Sequence, residues 1–396
     1  AQRARCEPSA PGSVGRPRCQ GTTATRARGG SAFDLGKKPM SATDGEVAGL
    51  YASYEKLVAA GDDTAELSKL TEDYEYILEA SKRSAQSKQL AASFIPRFFK
   101  SFPELEEKAI NAQIDLCEEE TLNIRLIAIR GLPMLCKDTP VHLPKLADIL
   151  GQLLLSEDPR ESAEVKKALL ALVVQDPRVC LLSLFSSVLN GEEELRAAVV
   201  SFLRERVLPD AKALLQDSAN GEGELLEAVK KILVDVSGSE YKLFMGLLGQ
   251  FRMFGKDAPR ENMELLLDIV AEQAELHEQF SAADTDNLER LLSCFQSAIQ
   301  YVERGARPTK FTDYLCKQLL PAFDSIAAEP FRVGFLQFLA QVAPLCTGVE
   351  ARVVVPELVK YGILKPVEDS VAGVLMMEAA VYAFHWLCTK AKNVAN

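Results

Sequence analysis

Apolar residues recur with a helical period almost without a break from Val47 onward. Leu50, Tyr54, Leu57 and Val58 form one stripe; Leu67, Leu70, Tyr74, Ile77 and Leu78 form another. One helix type returns along the chain: an apolar residue, a basic residue, a small residue, then a run of Leu, Val and Ala. It stands at Ile124-Arg125-Leu126-Ile127-Ala128, Val165-Lys166-Lys167-Ala168-Leu169, Leu195-Arg196-Ala197-Ala198-Val199 and Val229-Lys230-Lys231-Ile232-Leu233, with starts 41, 30 and 34 residues apart. A helix recurring at such spacing cannot bury its apolar face alone and must stack on its neighbours. The pattern therefore predicts an all-α chain, an α-solenoid of HEAT-like helix pairs followed by an armadillo-like array. No sustained period-two alternation occurs, so no sheet is expected.

Local signals place the ends of these helices. Ser101-Phe102-Pro103-Glu104 reads as a capping box with Pro in the first turn. Asp158-Pro159 and Asp176-Pro177 each read as an Asp cap followed by a Pro whose missing N–H costs nothing there. Gly191, Gly238 and Gly348 are expected where helices stop. In the helix expected over 104–119, Leu105, Ala109, Ala112 and Leu116 make one stripe and Ile110, Ile114 and Cys117 a second. So wide an apolar arc needs neighbours on two sides. Beyond Gly238 the helices lengthen, over 239–254, 262–280, 286–303, 309–320, 331–345 and 371–392. A soft boundary near Asp217–Gly223 divides a HEAT-like domain, 40–218, from an armadillo-like one, 219–396.

Composition adjusts this picture. Residues 1–39 carry eight basic and two acidic side chains and almost no apolar period, and they read as a disordered leader. They are either a targeting leader or translated sequence ahead of a start at Met40; the missing amphipathic face favours the second. The remaining residues hold 37 basic and 54 acidic side chains, a net charge of −17. Such a body favours basic partners, and nucleic-acid binding would need a local basic stripe. Nine cysteines lie scattered with no Cys-x-x-Cys, which points to reduced thiols rather than a disulfide frame. No run reaches the ~20 apolar residues that span a bilayer. Val371–Leu387, interrupted by Glu378 and His385, reads as a buried solenoid helix, and no membrane partner is expected.

At 89–120 the segment QLAASFIPRFFKSFPELEEKAINAQIDLCEEE closely resembles the apoptosis inhibitor 5 family, also called antiapoptotic clone 11. LPKLADILGQLL at 143–154, GSEYKLFM at 238–245 and VAEQAEL at 270–276 carry the resemblance further, which runs from about Tyr51 to the end. The resemblance implies a HEAT-repeat half and an armadillo-like half. It implies a nuclear, non-enzymatic protein that suppresses cell death through protein partners. Those include a basic fibroblast growth factor and a chromatin-condensing apoptotic factor, with links to RNA helicases and mRNA export. The family continues into a Leu heptad helix and a basic import tail, whereas this chain ends at Asn396 with only Lys390 and Lys392 nearby. It reads as a C-terminally truncated piece or a divergent short form. Nucleus and cytoplasm are both expected, without the family's import signal.

Candidate sites are few, and each has an ordinary structural reading beside it. Leu150, Leu153 and Leu154 form an LxxLL motif of the kind the family carries there, the shape a hydrophobic groove accepts. Leu288-Glu289-Arg290-Leu291-Leu292 matches it too, and core packing produces the pattern unaided. Glu192, Glu193 and Glu194 complement the positive end of a helix dipole, or form an acidic rim for a basic partner; Glu118-Glu119-Glu120 is a second such cluster. Lys82, Arg83, Lys88, Arg97 and Lys100, interleaved with Phe94, Phe98 and Phe99, could contact single-stranded RNA, or be the wet edge of a core stripe. His142, His277 and His385 are far apart, with no ligand spacing. Asp284-Thr285-Asp286-Asn287 lacks the Gly and Glu of a calcium loop, and Asp286 reads as a helix cap. No phosphate loop, GxSxG or paired-carboxylate pattern appears. No enzyme, metal or cofactor is therefore expected. The chain reads as a scaffold, monomeric by preference, for basic proteins resembling growth factors or associated with chromatin or RNA. The alternative is an mRNA-processing or export adaptor that binds RNA helicases or RNA.

Overall fold

A computed structural model describes residues 42–61, 63–137, 139–215, 221–363 and 370–392. The leader at 1–39 and the core of the boundary expected near Asp217 lie outside them. The helices of six residues and longer are numbered here in chain order. The first ten are α1 (Ala42–Ala60), α2 (Thr71–Glu79), α3 (Ala85–Phe98), α4 (Glu106–Cys117), α5 (Leu122–Cys136), α6 (Leu143–Gln152), α7 (Pro159–Gln175), α8 (Pro177–Asn190), α9 (Glu193–Phe202) and α10 (Glu222–Ile232). Then follow α11 (Gly238–Leu248), α12 (Arg260–Gln273), α13 (Thr285–Glu303), α14 (Thr309–Tyr314), α15 (Glu329–Val342), α16 (Gly348–Leu358) and α17 (Val371–Lys392). Among the described residues there is no strand.

The helices stack in two layers. In one, α1 packs on α3, α3 on α5 and α5 on α7, and α7 meets the π-turn Leu203–Val207 that prolongs α9. In the other, α6 packs on α8 and α8 on α10. Farther along, α13, α15 and α17 lie side by side, with α14 against α16. Helices in the middle of the stack thus bury their stripes between the pair partner and the next pair, as the recurrence requires. α4 shows it, burying Ala109, Ala112 and Leu116 together with Ile110 and Cys117. The chain is an α-solenoid.

Several helix ends follow the sequence and others depart from it. Asp158 Oδ1 accepts from the N–H groups of Arg160 (2.8 Å) and Glu161 (3.3 Å), and Asp176 Oδ1 from Val179 N–H (3.0 Å). Gly191 closes α8. The capping box expected at Ser101 does not form. Ser101 ends a preceding 3-10 turn, and Phe102 takes the cap position because its buried ring stacks on Tyr74 at 4.5 Å. Gly238 and Gly348 begin helices rather than ending them, each following a capping box, Ser237/Glu240 and Thr347/Glu350. Asp284 rather than Asp286 caps α13, accepting from Asn287 N–H at 3.0 Å. The helix expected over 262–280 stops at Gln273, and Glu275 just beyond adopts a positive φ of 50°.

The last helix also departs from expectation. α17 buries Ala379, Ala380, Ala383 and Leu387 against its neighbours, but its other face, with Val371, Val374, Leu375, Val381 and Tyr382, is exposed. A helix packed on one side only hides one stripe, however apolar the rest is. By length and composition alone it is long and apolar enough to cross a membrane, because its few polar residues barely dilute its apolar character.

Candidate partner-binding surface

The recurring basic residue is the first feature the structure explains. Arg125 on α5 reaches Glu161 on α7, with Nε 3.0 Å from each carboxylate oxygen and Nη2 2.7 Å from Oε2. Its Nη1 donates to the carbonyls of Glu119 (2.8 Å) and Glu120 (3.0 Å), orphan acceptors just past the end of α4. Lys166 on α7 reaches Glu205 in the turn after α9 at 2.8 Å. Arg196 on α9 reaches Glu240 on α11 at 2.9 Å, and donates to Asp235 O at 2.6 Å. Each of these bonds ties one repeat to the next. Only the fourth repeat differs: Lys230 pairs within its own helix with Glu227. Arg130–Glu164 adds a second rung between α5 and α7. Burial pushes the Glu240 carboxyl up, but hydrogen bonds from Arg196 and Ser237 outweigh it and hold the pKa below its usual value. A hydrogen bond from Lys166, helped by Ser201, lowers Glu205.

Gln113 is a second feature the apolar pattern hid. Its side chain is fully buried in α4, and Nε2 donates to Ala92 O (3.1 Å) and Ala128 O (2.9 Å). Pro96 inside α3 has no N–H, so it leaves the Ala92 carbonyl without its intrahelical donor, and Gln113 supplies one from the next helix. Gly131 makes room for this amide: a Cβ there would stand 2.6 Å from Nε2 and from Pro96 Cγ.

The structure separates the candidate sites. Leu150 and Leu154 are core residues, fully buried and 7% exposed, and Leu153 is half-buried against the same core. Offering this face to a groove would require α6 to leave the stack. Leu288 and Leu291 are buried likewise. Glu192, Glu193 and Glu194 are all exposed at the cap and first turn of α9, and none forms an ion pair among the described residues. In the second cluster Glu119 pairs with Lys88, while Glu118 and Glu120 point to solvent. Several of the basic and aromatic residues near α3 have partners of their own. Phe94 stacks on Tyr54 (4.2 Å), Arg97 bonds the Tyr54 hydroxyl, and Arg83 lies 4.4 Å over the Tyr76 ring. Phe94 and Phe99 are buried.

Six of the seven described thiols are buried, and Cys388 is half-buried. Burial raises the pKa of Cys136, Cys316 and Cys346 to about 12 and of Cys294 to about 11, and pushes Cys117 and Cys180 up further. His142 sits 3.0 Å from Glu106, while His277 and His385 are exposed elsewhere. Among the described residues no three His, Cys, Asp or Glu side chains gather as a metal site would need.

One concavity was not foreseen. Between α11 and α12 the loop 249–259 borders a cavity of about 1040 Å³ that also touches Lys212 and Arg304. Its positive side chains come from three separate segments, so no local pattern announces them.

These features define an α-solenoid, its repeats tied by ion pairs from one repeat to the next, on a body of net negative charge. A family profile described as apoptosis inhibitory protein 5 matches residues 47–396. A rice protein (Oryza sativa subsp. japonica) named apoptosis inhibitor 5-like protein API5 is 40% identical over 365 residues, covering 90% of this chain and 66% of that one. Human apoptosis inhibitor 5 is 34% identical over 362 residues, covering 86% of this chain and 67% of its own. Apoptosis inhibitor 5-A of Xenopus laevis is 37% identical over 303 residues, 75% of this chain and 56% of that one. The chain belongs to the apoptosis inhibitory protein 5 family, and it spans 66% of the length of the rice relative. A solved structure titled for Kap95p binding to RanGDP covers 88% of this chain and 44% of its own at 12% identity, with a TM-score of 0.34. So distant a likeness carries no argument about function.

Proposed function

We propose that this protein is a negative regulator of apoptosis that works without catalysis, as a scaffold holding basic protein partners on its acidic surface. The family supports the anti-apoptotic part, since the relatives it matches are named apoptosis inhibitors. The observation that carries the scaffold part is the exposed run Glu192–Glu194 at the head of α9, which forms no ion pair among the described residues, on a body of net charge −17. Three carboxylates on a rigid helix start present a field that speeds encounter with a basic surface and that added salt weakens. The partners it fits are basic proteins of the growth-factor, chromatin or RNA-helicase kind, met in the nucleus or cytoplasm. Leu150, Leu153 and Leu154 contribute by packing the helix layer beneath this surface. A pull-down from native extract tests the reading, using the wild-type chain and a variant with Glu192, Glu193 and Glu194 changed to Lys, each with and without RNase. Partners captured by the wild type, lost with the variant and retained after RNase support it. Equal capture by both chains refutes the assignment, and RNase-sensitive capture favours the mRNA adaptor.

A further inference from the structure

The loop between α11 and α12 is held in one conformation from several sides. Glu222, itself 3% exposed, accepts the N–H of Arg252 (2.5 Å) and of Met253 (2.8 Å). Asn262 Nδ2 donates to Met253 O at 2.6 Å, and Arg304 Nη2 donates to Phe254 O at 2.7 Å and to Gly255 O. Phe251 and Phe254, each 1% exposed, anchor the loop in the core. What the loop presents outward is charge. Arg252 and Lys256 face the cavity with Lys212 and Arg304, and Asp257 is the one acidic side chain lining it among the described residues. The buried carboxylate of Glu222 engages the backbone and forms no ion pair with the four cations among the described residues. Lys212, Arg252 and Lys256 form no ion pair among the described residues, although the body around them is acidic.

We propose that this cavity binds an acidic peptide segment of a partner protein, with Lys212, Arg252, Lys256 and Arg304 receiving its carboxylates or phosphates. Like charges gathered in a concave site repel one another until an anion arrives, and low-dielectric walls focus their field into the cavity. Guanidinium groups suit carboxylate and phosphate geometry because two parallel N–H donors can meet two oxygens. About 1040 Å³ accommodates several residues rather than a single small anion. A nucleic acid fits less well. The aromatic rings here are buried and cannot stack on bases, the cations sit in one cavity rather than along a track, and the acidic body repels a long polyphosphate. The site thus goes beyond the acidic surface: it would take partners of the opposite charge, at a loop separate from the Glu192–Glu194 run.

Fluorescence anisotropy with the full chain tests this. The probes are a fluorescein-labelled Glu- and Asp-rich dodecapeptide, the same peptide with two phosphoserines, a Lys-rich peptide and a 12-nucleotide single-stranded RNA. They are titrated into the wild type and into Arg252→Glu/Lys256→Glu. Both substituted side chains are exposed. An unchanged melting temperature would therefore show that the double variant folds. The expected result is saturable binding of an acidic peptide, weakened about tenfold or more by the double variant and by raised salt. Comparing the two acidic peptides tells which anion the cavity prefers. Equal affinity of the wild type and the folded variant overturns the proposal, as does the absence of acidic-peptide binding up to roughly 1 mM. RNA binding that the double variant abolishes, stronger than peptide binding, would overturn it in favour of nucleic acid.

Discussion

Replacing Arg125 with Met probes the ladder of ion pairs most sharply. The Glu161 carboxylate is 6% exposed and, among the described residues, receives side-chain donors only from Arg125. Without the guanidinium a nearly dry anion remains with no counter-charge. Removing one partner of a buried pair costs about 3–5 kcal/mol, mostly for that stranded charge. The freed carbonyls of Glu119 and Glu120 add little, because both residues reach solvent. We expect Arg125→Met to lose about 3–4 kcal/mol at pH 7. Adding Glu161→Leu should restore all but about 1 kcal/mol, since an apolar pair can replace a buried ion pair at little cost. Urea unfolding followed by circular dichroism gives the total, and hydrogen exchange on α5 and α7 gives the local part, because stacked repeats can open separately. A single variant within about 1 kcal/mol of wild type, or a double variant no better than the single, refutes the reasoning.

Three further outcomes follow from the same structure. Gly131→Ala should destabilise by about 1–3 kcal/mol, because its Cβ would meet Gln113 Nε2 and Pro96 Cγ at 2.6 Å; thermal melts check it, and an unchanged melting temperature would show that the amide moves freely. At pH 8 a maleimide should label half-buried Cys388 first among the described thiols, with Cys117, Cys136, Cys180, Cys294, Cys316 and Cys346 reacting only in denaturant, as peptide mapping would show. Acidification should destabilise the chain as Glu164, Glu205, Glu240 and Glu275 protonate. Their folded pKa values are depressed, so their contribution is present above the usual carboxylate value of 4.5 and is lost as pH falls below it; a melting temperature that rises on acidification to pH 3 would contradict this.

The sequence showed much of the stack because helix period and Asp-Pro caps are local chemistry. Asp158 and Asp176 cap their own next residues, and nothing distant is needed to see it. Gly238 and Gly348 were misplaced although the signal was present: Ser237 with Glu240 and Thr347 with Glu350 are capping boxes, and a box outweighs a lone glycine. The partners of Arg125, Lys166 and Arg196 lie one repeat away, beyond any window of local pattern. Gln113 interrupts an apolar arc, and only the orphan carbonyl opposite Pro96 explains it. The acidic run Glu192–Glu194 was readable as an exposed helix start. The basic cavity was not, because Lys212, Arg252, Lys256 and Arg304 meet only when the helices do.

The most direct measurement is survival of cells under an apoptotic stimulus, comparing those expressing the wild-type chain with those expressing equal amounts of the folded Glu192/Glu193/Glu194→Lys variant. The account predicts slower death with the wild type and no protection from the variant. Equal protection by both chains, or none from the wild type, would contradict it.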